Sequence, residues 1–422
     1  VPITRGGNGR LEIGGAGTPI EWAVEMARFD EEQTLDRVAA RKAIEPELAA
    51  SLADAILRSH DKAPRADDES WLASIAPIID RNTAKFRSVR GLDAAAIDHL
   101  TAASHDRLAT LRILLERRAR QGFVRRCHGD LHLANVALVH GQPLLFDAIE
   151  FDPVIATTDI LYDLAFPLMD LVHFNHAVAA NTLFNRYLAE ASAENLEGLG
   201  VLPLFLSMRA AIRAHVLFTR SEQATDGAAV WREAKRYFDL AACLITPKPP
   251  VLVAIGGLSG TGKSVLARSL AGLIEPPPGA VIVRSDVVRK RLFKVGETTT
   301  LPREAYQADT STHVYEALND TGRRVIAQGL SVIIDASFMD AAQRTALLRL
   351  AREQNTRFVG FFLTADLKTR LARIERRQND ASDATREVAL RQEAMAMGRM
   401  DWHVVDASGT PDDTLRRSRA LL

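Results

Sequence analysis

Gly257-Leu-Ser-Gly-Thr-Gly-Lys-Ser264 decides how the second half of this chain folds. It fits G-x-x-x-x-G-K-[S/T] without a gap. The apolar run Val251-Leu-Val-Ala-Ile255 before it reads as a buried strand, and Val265-Leu-Ala-Arg-Ser-Leu-Ala271 after it has helical spacing. In that setting the glycines let backbone N–H groups close around phosphate oxygens, and the helix N-terminus adds its dipole. Gly257, Ser259, Gly260, Thr261, Gly262, Lys263, Ser264 and Val265 are therefore the expected ATP-binding residues. Lys263 is expected to reach the β- and γ-phosphates and Ser264 to hold Mg²⁺.

Strand–helix alternation continues outward from this loop, with strands expected near 280–284, 331–335, 357–363 and 402–405. Helices are expected at 285–292, 305–328, 340–354, 366–378 and 383–397. This is the pattern of a parallel α/β sheet with crossover helices. Two of the strands end in carboxylates. Val281-Ile-Val-Arg-Ser-Asp286 places Asp286 at the crevice where such sheets bind ligands, suited to take a proton from an acceptor hydroxyl. Its alternative is a helix N-cap. Ser331-Val-Ile-Ile-Asp335 offers Asp335 as a second carboxylate to support Mg²⁺, with a turn-capping role as its alternative. Arg370, Arg373 and Arg377 share a helical face. That face is either a phosphate-holding lid or a solvated basic surface. Gln378-Asn-Asp-Ala-Ser-Asp383 reads as a mobile polar loop behind it.

The chain has 422 residues, 47% hydrophobic and 25% charged, which suits two or three globular domains. Thr246-Pro-Lys-Pro-Pro250 is the expected linker between domains 1–245 and 251–422. The first carries 27 Lys+Arg against 33 Asp+Glu, the remainder 26 against 20, so net charges of −6 and +6 cancel. A mildly basic second half suits polyphosphate and is too weak to imply DNA binding. Two cysteines, Cys127 and Cys243, argue for a reducing, cytoplasmic compartment, and no long uncharged apolar run argues for a membrane. The start at Val1 is expected of a segment of a longer protein.

In the first half, residues 1–29 read as β structure, with a Gly-Gly-Asn-Gly turn and an alternating Ile20–Met26 run. Helices are expected near 32–42, 46–60, 69–80, 93–121, 156–173, 177–193, 203–221 and 227–243. They frame Cys127-His-Gly-Asp-Leu-His-Leu-Ala-Asn135 and Leu145-Phe-Asp147. An Asp and an Asn five apart, then an Asp at a strand end, form a phosphotransfer constellation: Asp130 as base, Asn135 and Asp147 as Mg²⁺ ligands.

The second-half motifs together resemble one family. They are the Gly257–Ser264 loop, Ser285-Asp286-x-x-Arg289, Asp335, and Arg370-x-x-Arg373-x-x-x-Arg377 with Asp380-Ala-Ser-Asp383. The family is the P-loop kinase-like group that includes zeta-toxin, chloramphenicol phosphotransferase and polynucleotide-kinase types. The resemblance covers about 250–422. It implies Asp286 as base, Arg373 and Arg377 on ATP phosphates, and Val404-Val-Asp406-Ala-Ser-Gly near the adenine. The first half resembles the aminoglycoside phosphotransferase-like branch of the protein-kinase fold, through His128-Gly-Asp-x-His-x-x-Asn135 and Asp159-x-x-x-Asp163-Leu-Ala. That resemblance implies Asp163 as a brace for the catalytic loop. The phosphate-covering loop and strand lysine of that fold are not found here, so the N-terminal part of the domain is expected upstream of Val1.

The expected activity is ATP-dependent transfer of phosphate to a hydroxyl of a small molecule (a sugar, antibiotic or nucleotide sugar), with specificity in 293–312. The alternatives are a nucleotide-binding regulator without turnover and a nucleic-acid 5′-hydroxyl kinase. Aromatics at 6% without basic–aromatic interleaving disfavour the last.

Overall fold

The computed structural model describes residues 1–7, 9–25, 29–66, 69–189, 192–377, 380–394 and 398–422. It has two domains: a mainly α-helical one with residual strands, then an α/β domain with a five-stranded parallel sheet of the P-loop kinase type. Residues 246–250 between them form neither helix nor strand.

The sheet runs in the order His403–Asp406, Arg357–Thr364, Val251–Gly257, Val332–Asp335, Val281–Arg284. All pairings are parallel. The central strand is covered on both faces, so Leu252, Val253, Ala254 and Ile255 are all buried, as an unbroken apolar run requires. Parallel strands point their C-terminal ends the same way. The Gly257 loop, Asp335 and the Arg284–Asp286 turn therefore emerge on one side. A final helix, Pro411–Arg419, was not foreseen. A capping box starts it, with Thr410 and Asp413 satisfying each other's backbone N–H groups.

The first domain opens with an antiparallel sheet of Pro2–Arg5, Leu11–Ile13 and Thr18–Trp22. The strand expected at Ile20–Met26 is thus earlier and shorter, and Met26 lies outside the described residues. The helix expected at 156–173 begins only at Ile160. Before it, Thr157–Asp159 pairs antiparallel with Val124–Arg126. Asp159 fixes that boundary. It caps Leu161 N and forms a bidentate pair with Arg118, both side chains buried. The helix expected to end near 80 continues through Pro77 to Ser88.

One cluster of buried apolar residues draws on both domains, reaching from Leu35 and Phe184 to Leu252, Val281 and Trp402, and a second, around Val253, Ile255 and Leu266, lies within the α/β domain. Among the described residues, one stretch, Glu194–Ser221, is long and apolar enough to cross a membrane, and 67% of its most apolar window is buried inside the protein.

Candidate nucleotide and phosphotransfer sites

The loop after Val251–Gly257 is shaped by its glycines. Gly260 has φ +85°, and a Cβ there would stand 2.6 Å from Arg370 O. Gly262, at φ +94°, starts the helix Lys263–Ala271 from a left-handed conformation. Thr261 Oγ1 and Lys263 Nζ both donate to Leu258 O, at 2.8 and 3.1 Å, which holds the loop curled. Gln392 Oε1 accepts from Ser259 N at 2.8 Å. Val265 presents its side chain to solvent and can contribute only backbone.

Ser264, Asp335, Asp286 and Lys263 come together beneath this loop in a cleft of about 750 Å³. Ser264 Oγ donates to Asp335 Oδ2 at 2.6 Å. Burial pushes the Asp286 carboxyl above its ordinary range, and the nearby Asp335 charge adds to that; Lys263 and Arg284 oppose it. Burial lowers Lys263, against the pull of Asp335 and Asp286. Asp286 is not a helix cap. The helix Ser285–Leu292 takes Arg284 as its N-cap residue, without a side-chain cap bond, and Asp286 lies inside the first turn. Hydroxyl and carboxylate oxygens this close form a donor set that fits a hard cation such as Mg²⁺.

The expected arginine face divides. Arg370 turns inward: Nε donates to Ser259 O, Nη2 to Ala389 O, and Nη1 pairs with Glu393. It supports the loop from behind. Arg373 and Arg377 instead line the cleft, as does Arg376. Arg373 donates to Thr261 O and Gly409 O, while Arg377 Nη1 is buried with no hydrogen-bond partner. Ala407, Pro411 and Thr414 line the same cleft near the end expected to face the adenine.

The Asp380–Asp383 segment, expected as part of a mobile loop, is anchored at both ends; Gln378 and Asn379 lie outside the described residues. Asp380 accepts from Arg284 at 3.0 Å. Asp383 accepts from Lys290 Nζ, Leu301 N and Tyr306 Oη at 3.1, 3.0 and 2.6 Å. Sequence reasoning missed Arg284, which also lies 3.4 Å from Asp335 and so links the Asp380–Asp383 segment to that carboxylate. Its only signal was a charged residue at the end of an otherwise apolar strand.

The first domain assembles a second cluster. Asn135 Nδ2 donates to Asp130 O at 2.8 Å, and Phe146 N donates to Asn135 O. His128 Nε2 hydrogen-bonds Phe146 O. Asp147 follows at φ +60° and is exposed. Asp163 Oδ1 accepts from Gly129 N at 2.9 Å and Asp170 Oδ2 from Leu133 N. Burial raises the Asp130 carboxyl, but the His132 hydrogen bond and the charges of His132, Arg209 and Arg213 outweigh it, so it stays below its ordinary range. His60, Cys127 and Asp163 are buried side by side. Both His60 nitrogens are engaged, Nδ1 by Tyr187 Oη at 2.8 Å and Nε2 by Asp163 Oδ2 at 3.1 Å, so the trio braces the loop.

Residues 252–397 match a family model described as an AAA domain. Over 412 residues the chain is 28% identical to an uncharacterized protein of Mycobacterium tuberculosis (strain ATCC 25618 / H37Rv), a match covering 94% of this chain and 79% of the relative. An uncharacterized protein of Mycobacterium bovis (strain ATCC BAA-935 / AF2122/97) matches to the same extent. Among solved structures, a gluconokinase from Sinorhizobium meliloti 1021 is 18% identical, covering 42% of this chain and 92% of its own, with a TM-score of 0.31. The Deinococcus radiodurans tunicamycin resistance protein is 19% identical, covering 41% and 94%, with a TM-score of 0.28.

Proposed function

We propose that this chain is an ATP-dependent phosphotransferase acting on a hydroxyl of a small molecule, with its catalytic groups in 251–422 and the helical domain in 1–245. The observation that carries this reading is the convergence of Lys263, the Ser264–Asp335 pair and Asp286 at the C-terminal ends of three neighbouring strands.

In the reaction, the loop amides and Lys263 hold the β- and γ-phosphates. Asp286 takes the proton of the acceptor hydroxyl as its oxygen bonds to the γ-phosphorus, and the bond to the departing ADP oxygen breaks. A raised carboxyl pKa makes Asp286 a stronger base than an exposed aspartate, provided it is ionised at the working pH. Arg373 and Arg377 stabilise charge on the moving phosphoryl group. Ser264 and Asp335 would hold Mg²⁺, which would supply positive charge against that of the phosphates. The acceptor would enter past Asp286 along 293–312, where Tyr306 and Ser311 line the cleft.

The test is incubation of the full chain with ATP, Mg²⁺ and a metabolite extract, with mass spectrometry for phosphorylated products. A product formed by the unaltered chain and not by Lys263→Ala is expected. ATP bound without any product would leave a regulatory nucleotide-binding role.

A further inference from the structure

We propose that Asn185, on the helix Ala177–Ala189 of the first domain, is a positioning residue for Asp286 in the second. The inference rests on the phosphotransferase reading in taking Asp286 as the base.

Val281–Arg284 is an outer strand of the five-stranded sheet, with Val332–Asp335 as its only strand neighbour among the described residues. Val281 N donates toward that neighbour, to Ser331 O, so by alternation Ile282 N points to the open edge. An open edge presents a row of unpaired peptide groups. Here the row meets a side-chain amide. Asn185 Oδ1 accepts from Ile282 N at 2.7 Å, and Asn185 Nδ2 donates to Ala280 O at 3.1 Å. One primary amide thus supplies the acceptor and donor that a further strand would have supplied. Asn181, one turn earlier and 1% exposed, donates to Ala280 O and Pro278 O and accepts from Asn185 Nδ2.

The same helix touches the two elements that flank this strand. A Cβ on Gly272, where the Lys263 helix ends, would stand 2.5 Å from Ala177 O, so the backbones meet directly there. At the other end, Ala189 O accepts from Arg291 Nη2 at 2.5 Å, and Arg291 lies on the helix that carries Asp286. One helix of the first domain therefore spans the end of the Lys263 helix, the strand leading to Asp286, and the helix bearing it. Water could satisfy Ile282 N and Ala280 O equally well. The amide adds a fixed register four residues before a carboxylate that must meet a hydroxyl within hydrogen-bond reach.

The experiment compares the full unaltered chain with Asn185→Leu, which removes both hydrogen bonds at similar volume, and Asn185→Asp, which keeps an acceptor for Ile282 N. Hydrogen exchange read by mass spectrometry should show 281–292 exchanging ~10-fold faster in Asn185→Leu, with 251–271 unchanged. ATP affinity should stay within about twofold while product formation from ATP and extract falls ~10-fold or more, the scale of a small misplacement. Asn185→Asp should recover part of it. Faster exchange with normal turnover overturns the proposal, since Asn185 then only seals an edge. Unchanged exchange overturns it too, as does parallel loss of ATP affinity and melting temperature. Should Asn185→Leu fail to fold, the exposed Arg291→Ala carries the same comparison over 285–292. A chain that makes no product sinks the phosphotransferase reading instead, and exchange still decides whether Asn185 holds 281–292.

Discussion

Ser264 Oγ and Asp335 Oδ2 lie 2.6 Å apart, joining the first turn of the Lys263 helix to the end of the adjacent strand. A hydroxyl already bonded to a carboxylate needs little rearrangement to share a cation with it. Asp335→Asn should therefore weaken the Mg²⁺ dependence of ATP binding and lower product formation by about 10²-fold, the scale of a lost electrostatic stabiliser. Mg²⁺ titrations of ATP affinity and of turnover check this. Curves that superimpose with those of the unaltered chain would remove Asp335 from the metal site.

Activity should follow Lys263 and not Asp130. Lys263 is enclosed with Asp286 and Asp335, and its sole hydrogen bond among the described residues, to Leu258 O, is one that water can replace. Lys263→Ala should abolish ATP turnover with a change in stability of about 1 kcal/mol or less. Asp130→Ala should leave that turnover within about threefold. Loss of turnover with Asp130→Ala and its survival in Lys263→Ala would move the working site to the first domain.

Asp286→Asn should keep ATP affinity and lower turnover by about 10²-fold, the usual contribution of a general base. The pH profile carries its signature. Because the carboxyl is raised above its ordinary value of 3.8, the acid limb of turnover should fall at higher pH than an exposed aspartate would give. The same shift sets a sign for stability. The unfolded chain releases this proton first as pH rises, so ionised Asp286 counts against the fold at neutral pH. Asp286→Asn should then melt higher than the unaltered chain at pH 7, with the gap closing toward pH 3.8. A variant melting lower at pH 7 contradicts this.

Arg370 and Arg377 should fail in opposite ways. Arg370 is buried, and its removal takes the side-chain donor from Ser259 O, a second donor from Ala389 O, and the partner of the half-exposed Glu393. Arg370→Ala should cost about 2 kcal/mol in denaturant unfolding, chiefly from Ser259 O left without its donor. Arg377→Ala, whose buried Nη1 has no hydrogen bond to lose, should keep its stability and lose ~10- to 10²-fold in turnover. Equal melting temperatures for the two variants would refute the division.

These two arginines also show where reading the chain alone stops. A spacing of three and four residues puts side chains on one face of a continuous helix, but this helix ends at Glu375, before Arg377. Which end of that face docks depends on Gly260 bringing backbone against Arg370, a contact across more than a hundred residues. The strand–loop–helix around Gly257, and Asp335 at the end of its strand, were legible because each is local: an apolar run, a turn chemistry, a periodic face. The onset of the helix at Ile160 was not, because Asp159 and Arg118, far apart in sequence, set it together. The anchoring of Asp383 by Lys290, Leu301 and Tyr306 left no local trace, since a polar loop reads alike whether tethered or free. Asn181 and Asn185 read as ordinary polar positions on an amphipathic helix.

Thr246–Pro250 invites a cut, because it carries no helix or strand and separates two recognisable architectures. The Asn185–Ile282 contact changes what such a cut would release. Freed of Ala177–Ala189, the α/β piece would carry a bare β-ribbon margin with Ile282 N and Ala280 O turned outward, a template for another copy to add a strand. Trimming to the smallest active fragment should therefore begin from the helix and not from the prolines. A fragment that keeps 177–422 retains the native cover of that margin, whereas one beginning at 251 is the form prone to self-association.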